Sequence, residues 1–556
     1  MKKMKKVFAV LLSLAMVLGM SVTAFAAGDA QKDPHITVSN LPIGTTEHPT
    51  TVKYMQIAKA APTDPIGWTL ADNVTLSNGV TLEDLVKVSG GNANAEAGKI
   101  GHDTVVKAIQ GISIPDNDAH SFTASGETAL IYDVEPGLYI IQVNAEGYTF
   151  SRMLAYVEYN EARTAAVLNT PVTVKGESDK VSKSVGADDI SVAVGDVVPF
   201  TVTIQYPYLD GTWNQATNKM EYPVFTITDT VTGGTVVTKT EGTKTLEDII
   251  VKIDGKVVGG NDTDPAKNLP ADLAAIGENT FSAPATDSFK IIFAYDPQYA
   301  SKDIEITYNV KVTEALSDNT KLQNHVKAEI GDKTTEAEVI NPTVKAIVTK
   351  REAHIVDGTE QNDGELLQDA RFKLYVVVDD EAEATHAVGK KTVDGKEINV
   401  IITKPGTIEA GTALLKEVVY TKEADGTTNI ENDANGNYPG RKTDTTGTVT
   451  FDKLDAQKTY WVVESKAPDG YSLNEEAKQL TGATYTAGTP TQNPDTKVWV
   501  TENTATDFTG VTITDTNLVA LPSTGGIGTT IFTIGGCAIM IVAAGLFFAT
   551  RRKTGR

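Results

Sequence analysis

Few residue types in this 556-residue chain can do chemistry, and their placement narrows the choice further. The one cysteine, Cys537, lies inside a long apolar run. The rest of the chain can therefore form no disulfide and offers no zinc site built on thiolates. The seven histidines are scattered without ligand spacing. There is no His-Glu-x-x-His pair, no phosphate-cradling loop, and no glycine-rich dinucleotide turn between a strand and a helix. Asp-rich turns at 261–264 and 425–433 could hold calcium, but neither matches an EF-hand loop and both read more readily as solvated turns. Neither a metal nor a cofactor is expected. Any covalent staple must use chemistry other than thiols.

The last thirty-six residues carry the clearest signal. Leu521, Pro522, Ser523, Thr524 and Gly525 precede an uncharged apolar run, 527–550. That run is long enough to cross a bilayer, which needs ~20 residues. A basic tail, 551–556, follows with Arg551, Arg552, Lys553 and Arg556, the kind of end that stays cytoplasmic. Motif, span and tail in this order resemble the cell-wall sorting signal of Gram-positive surface proteins. The resemblance implies that a sortase cuts between Thr524 and Gly525 and passes the Thr524 carbonyl to an amine. The other end agrees. Residues 1–26 read as a signal peptide: four lysines, the apolar stretch Val7 to Met20, then small residues at Ala24 and Ala26. The chain is expected to be secreted first and retained at the cell wall afterwards.

The two ends together hold eight basic residues and no acidic one, so the formal charge of −23 becomes −31 for the stretch between them. Such an acidic object repels nucleic acid. Its length suggests roughly three or four domains of ~100–200 residues.

The elements that must position any site are strands. Short alternating runs recur at 36–38, 200–204, 225–228, 304–310, 448–451 and 511–514, rich in Thr, Val and Ile. Pro136-Gly137, Asp254-Gly255, Asp425-Gly426 and Asp469-Gly470 supply turns between them. Helical periodicity is scarce, with 82–88 and 103–109 the better short stretches. The pattern predicts an all-β chain of tandem Ig-like or prealbumin-like β-sandwiches in an elongated array. Proline-punctuated boundaries at 169–178 and 339–345 place domains at 28–173, 177–344 and 346–518.

The third of these resembles the collagen-adhesin B-type, prealbumin-like domain. It has Lys350 in its opening strand, the run Ala370-Arg-Phe372-Lys-Leu374-Tyr375, and the run from Tyr460 through Glu464 and Ala467-Pro468-Asp469-Gly470 to Tyr471. The second resembles the companion A-type domain through Lys183, the segment 194–202, Phe225 to Asp229, and Leu322 to Ala328. The whole chain is similar to the SpaA-type major (backbone) pilins of sortase-assembled pili. The resemblance implies intramolecular isopeptide bonds between lysine and asparagine, promoted by an acid. It assigns Lys183, Asp229 and Asn324 in the second domain, with Lys180 as the alternative lysine. In the third it assigns Lys350, Glu464 and Asn517, with Asn503 as the fallback acceptor. The residue types suit the chemistry. Burial disfavours a charged lysine and frees a nucleophilic amine, while a buried acid with a raised pKa can polarise an amide and relay protons. In the first domain Val143 stands where the acid would be, so no bond is expected there, although Lys53 and Asn169 exist.

The resemblance also implies an intersubunit bond from Thr524 to a lysine near the end of the first domain. Lys175 is favoured, with Lys180 and then Lys183 behind it. The expected function is the structural backbone of a covalent pilus, not an enzyme with turnover. The implied partners are a pilus-specific and a housekeeping sortase, identical pilin subunits, tip and base pilins, peptidoglycan, and the membrane transiently before sorting. The rival is a monomeric wall-anchored adhesin, or a pilus base subunit, that binds host ligands. A long elaboration between Tyr375 and Phe451 has no assigned role.

Overall fold

The computed structural model describes residues 33–518 apart from 47, 90–106, 110, 118, 163, 242–243, 248, 261–280, 283–286, 294, 297–298, 358, 362, 394 and 410. The expected signal peptide and the whole sorting signal, Leu521 to Gly525 included, lie outside the described residues. So does the 261–264 turn. Among the described residues the fold is all-β, and no helix is long and apolar enough to cross a membrane. The chain divides into two compact units. Unit 1 holds residues up to 342 together with 486–504, and unit 2 holds 343–485 and the residues from 505 onward.

Unit 1 contains two sandwiches. In the first, His35–Ser39 lies antiparallel to Thr128–Tyr132 and parallel to Asn169–Thr173. The facing sheet centres on Thr51–Ala60 and Gly137–Asn144. Gly137–Asn144 is buried on both faces, which is why it reads as a nearly unbroken apolar run. Tyr139, Ile141 and Val143 enter one core with Ile36, Val38 and Val172. Leu138 and Ile140 face a second core closed by Leu85 of the helix Leu82–Ser89. That helix starts where Thr81 and Asp84 cap each other, Asp84 N to Thr81 Oγ1 at 3.1 Å and Thr81 N to Asp84 Oδ2 at 3.1 Å. Of the second expected helical stretch, 107–109 are helical and 103–106 lie outside the described residues.

The second sandwich opposes two sheets. One runs Ser182–Val185, Val197–Gln205, Asp303–Val312, Ile250–Ile253. The other carries Ser288–Phe293, Phe225–Thr232, Lys321–Ile330 and Lys333–Pro342. Strict alternation buries Val198, Phe200, Val202 and Ile204 from one strand, and Leu322, Asn324, Val326, Ala328 and Ile330 from another. Residues 486–504, expected within the third domain, belong to this unit. Their strand Trp499–Glu502 extends the second sheet parallel to Lys333–Pro342.

Unit 2 repeats the parallel pairing of first and last strands seen in the first sandwich. Val344–Glu352 lies antiparallel to Thr448–Leu454 and parallel to Val511–Asp515. The facing sheet centres on Arg371–Val377 and Tyr460–Lys466. Val348, Phe372, Leu374, Phe451, Tyr460, Val462 and Ile513 fill the core between them. The elaboration after Tyr375 forms the hairpin of His386–Val393 and Lys396–Thr403. It is clipped down at its far end by Arg441, which stacks 3.7 Å from the Tyr420 ring centroid and donates to Thr450 O and Asp452 Oδ1 at 2.6 Å each.

Candidate functional site

In unit 1 the structure brings together the three residues assigned by resemblance. Lys183 sits on Ser182–Val185 in one sheet. Asp229 and Asn324 sit on neighbouring strands of the facing sheet, where Val231 pairs with Asn324 and Asp229 with Val326. That two-residue offset puts Asp229 and Asn324 diagonally adjacent on the inner face. All three are buried. The Lys183 ammonium bonds Asp229 Oδ2 and reaches Asn324 Oδ1 at 2.5 Å. The rings of Phe200 and Tyr308 wall it in, 5.6 and 5.4 Å away. Burial lowers the Lys183 pKa to about 8 against the opposing pull of Asp229. Burial also raises the Asp229 carboxyl, with Lys183 pulling it back. Both shifts favour the neutral pair, which is the state with a nucleophilic amine and a protonated acid.

Sequence reasoning missed a fourth member, Tyr308, whose phenol oxygen accepts from Asn324 Nδ2 at 2.9 Å. The signal was available. Tyr308 shares the inward phase of Ile304, Ile306 and Val310.

In unit 2 the structure brings Lys350 and Glu464 together and places Asn517 away from them. Lys350 is in phase with Val344, Ala346 and Val348, and Glu464 with Tyr460 and Val462. Lys350 Nζ lies 2.9 Å from Glu464 Oε1. The third member is Asp515, whose Oδ1 bonds Lys350 Nζ. Asn517 is exposed, and its Nδ2 donates instead to Glu352 Oε1 at 3.4 Å. The physical reason is register. Lys350 pairs with Ile513, so the inward residue beside it on the last strand is Asp515. The strand then ends, and 516–518 turn onto Gly470 to Ser472. The fallback Asn503 lies in unit 1, where its Oδ1 accepts from Gly488 N at 2.9 Å and its backbone N bonds Ile340. Burial raises Asp515 to about 7; Lys350 opposes the shift and the Glu464 charge adds to it. Glu464 is held by Asn474 N on Oε2 at 2.9 Å.

The first sandwich has no such cluster among the described residues. Lys53 pairs with the exposed Asp116 at 3.0 Å. Asn169 lies in the other sheet and accepts from Thr37 at 2.7 Å, and Val143 is core. The Asp-rich turns at 425 and 433 are Asx turns. Asp425 Oδ1 accepts from Thr427 N and Thr428 N, and Asp433 Oδ1 from Asn435 N and Asn437 N.

The three lysines considered for the intersubunit bond differ sharply. Lys183 is buried in its cluster. The Lys180 ammonium covers the Trp499 ring, 3.3 Å from its centroid. Lys175, just past Asn169–Thr173, is half-buried, and that burial lowers its pKa to about 8. An amine attacks only when neutral. Acylation of Lys175 by a limiting reagent should therefore reach half its maximum near pH 8, where a lysine titrating at 10.5 remains almost unreactive. Peptide mapping of chains labelled across pH 7–11 checks this. A Lys175 profile that keeps climbing to pH 10 or beyond would contradict it.

Two family models match the chain. The LPXTG cell wall anchor motif covers residues 513–554, and a prealbumin-like fold domain (SpaA) covers 354–491. No curated protein matches. Among solved structures, the T6 backbone pilin of serotype M6 Streptococcus pyogenes is 16% identical over 88% of this chain and 100% of that one, with a TM-score of 0.44. The full-length major pilin SpaD from Corynebacterium diphtheriae is 17% identical over 89% of this chain and 100% of its own, with a TM-score of 0.41. The fimbrial protein FimP from Actonomyces oris is 14% identical over 88% and 98%, with a TM-score of 0.38.

Proposed function

We propose that this chain, which carries a cell wall anchor motif and a prealbumin-like domain, is the backbone subunit of a covalently polymerised surface pilus. Thr524 of one subunit is joined to Lys175 of the next, and each subunit is stapled internally. The observation that carries this reading is the pair of buried lysine clusters. Each sets a lysine on the opening strand of a sandwich against an acceptor on a late strand, and a shaft under tension needs its strands tied in that way.

Each cluster reacts once and then has no substrate left. In unit 1, Lys183 Nζ displaces Nδ2 from Asn324 Cγ and ammonia leaves. In unit 2, Lys350 Nζ displaces an oxygen from Asp515 Cγ and water leaves, with Glu464 passing protons. The products close loops that span 141 and 165 residues. Closing loops of that length stabilises each by about 5 kcal/mol on a chain-entropy account. In the shaft, the sortases cleave and transfer at Thr524, tip and base pilins end the polymer, and peptidoglycan receives it. Repeated head-to-tail joining gives an open filament.

The intact mass of the mature chain, residues 27–524, should fall short of the sequence mass by one ammonia plus one water. Peptide mapping should place the losses at Lys183–Asn324 and Lys350–Asp515. A chain at full sequence mass overturns the stapled reading, and a plain anchored adhesin then becomes the better account.

A further inference from the structure

The unit 1 reaction has a leaving-group problem. An amide nitrogen departs only as ammonia, so Asn324 Nδ2 must gain a proton as its bond to Cγ breaks. Lys183 sits on the oxygen side of the carboxamide, where it bonds Asn324 Oδ1 and holds Asp229 Oδ2. The group in contact with Nδ2 is the Tyr308 phenol, at 2.9 Å.

We propose that Tyr308 is a catalytic residue of this cross-link, the acid that protonates Asn324 Nδ2 while Asp229 reprotonates the phenol. The inference rests on the Lys183–Asn324 reaction proposed above. Three observations support the relay. The phenol oxygen already accepts from Nδ2, which leaves its own hydrogen able to turn toward Asp229. The Asp229 carboxylate is hydrogen-bonded to the Tyr308 phenol as well as to Lys183 through Oδ2, so it can serve both groups. The Tyr308 ring is fixed: it pairs across the sheet with Phe200, stacks on it at 6.0 Å, and meets Phe289 edge-on at 4.8 Å. Burial, then the Asp229 charge, push the phenol well above its ordinary pKa, so it stays protonated until it acts.

The protons balance. One ammonium proton passes from Lys183 to Asp229, which frees the amine. The amine adds to Cγ. Tyr308 gives its proton to Nδ2 and takes the Asp229 proton, and the Asp229 carboxylate then takes one from the new Nζ–Cγ linkage. The Cγ–Nδ2 bond breaks and ammonia leaves. The phenol ends unchanged and Asp229 ends protonated.

The test is Tyr308→Phe, which keeps the ring and removes the hydroxyl. The mature chain is made by cell-free synthesis, and the fraction carrying the Lys183–Asn324 peptide is followed by mass spectrometry. The expected result is closure slowed by about 100-fold, the scale of a positioned acid. Asp229→Asn should be slow too, and the Asp229→Asn/Tyr308→Phe double variant no slower than Asp229→Asn alone, because members of one relay act as a unit. Tyr308→Phe in a Lys183→Ala background must still melt cooperatively, which separates lost chemistry from lost folding. Closure of Tyr308→Phe at the parental rate overturns the relay alone, as does a double variant whose slowing is the product of the two. A parental chain that never loses this ammonia overturns the relay together with the reaction beneath it.

Discussion

An Asp515→Ala chain is expected to retain the water that a Lys350–Asp515 link would expel from the parent, and its unit 2 should melt about 10–20 °C lower. The size follows from the loop. The Lys350–Asp515 link would close 165 residues, for which chain entropy gives about 5 kcal/mol. In a unit of this size each kilocalorie moves the midpoint by about 2–4 °C. Glu464 still faces Lys350 at 2.9 Å in the variant, so the ammonium keeps one partner. The loss is therefore mainly that of the cross-link. Asn517→Ala is the control. It removes an exposed side chain with one weak contact, and it should leave the mass unchanged and stability within about 0.5 kcal/mol. The reverse pattern, with Asn517→Ala restoring the full mass and Asp515→Ala silent, would return the bond to Asn517.

The confusion between those two residues marks where the sequence stopped being legible. Alternation in Val511-Thr-Ile513-Thr-Asp515 sets a face, and Asn517 continues it in the same parity. Both residues satisfy period two. What separates them is where the strand ends, and that is set by backbone bonds to a distant turn, Ser472 N to Thr516 O at 3.0 Å and Leu518 N to Gly470 O at 2.9 Å. No local pattern encodes those. Lys183, Asp229 and Asn324 came from the resemblance, and the alternation agrees with it: Asp229 and Asn324 lie mid-strand between core residues in phase, and Lys183 follows Val181 in the same phase. Val143 was legible for the same reason: an apolar residue in the acid position is a core residue. The return of 486–504 to unit 1 was not legible. Trp499–Glu502 is a short strand whose partner, Lys333–Pro342, lies far earlier in the chain, and a parallel pairing leaves no hairpin turn between its strands.

Replacing Lys175 should have the largest effect of all: loss of the high-mass ladder from the cell wall, with chains present only as monomers. Sortase transfer needs an amine that is both reachable and neutral. Lys183 fails on reach, since its side chain is wholly enclosed with Asp229 and Asn324. Lys180 is committed to the Trp499 face. Lys175 is partly exposed, and burial lowers it to about 8. Lys175→Arg is the sharper variant, because it keeps a cation while a guanidinium stays protonated and does not attack. Immunoblots of wall extracts from cells carrying Lys175→Arg, Lys180→Ala and Lys183→Ala separate the roles. The first should abolish the ladder and keep both internal mass losses. The second should leave both. The third should leave the ladder and remove only the ammonia loss. A ladder that survives Lys175→Arg but disappears with Lys180→Ala would move the junction by five residues. One that was never present in the parent would leave an internally stapled, monomeric adhesin on the wall, since the two buried clusters do not depend on polymerisation.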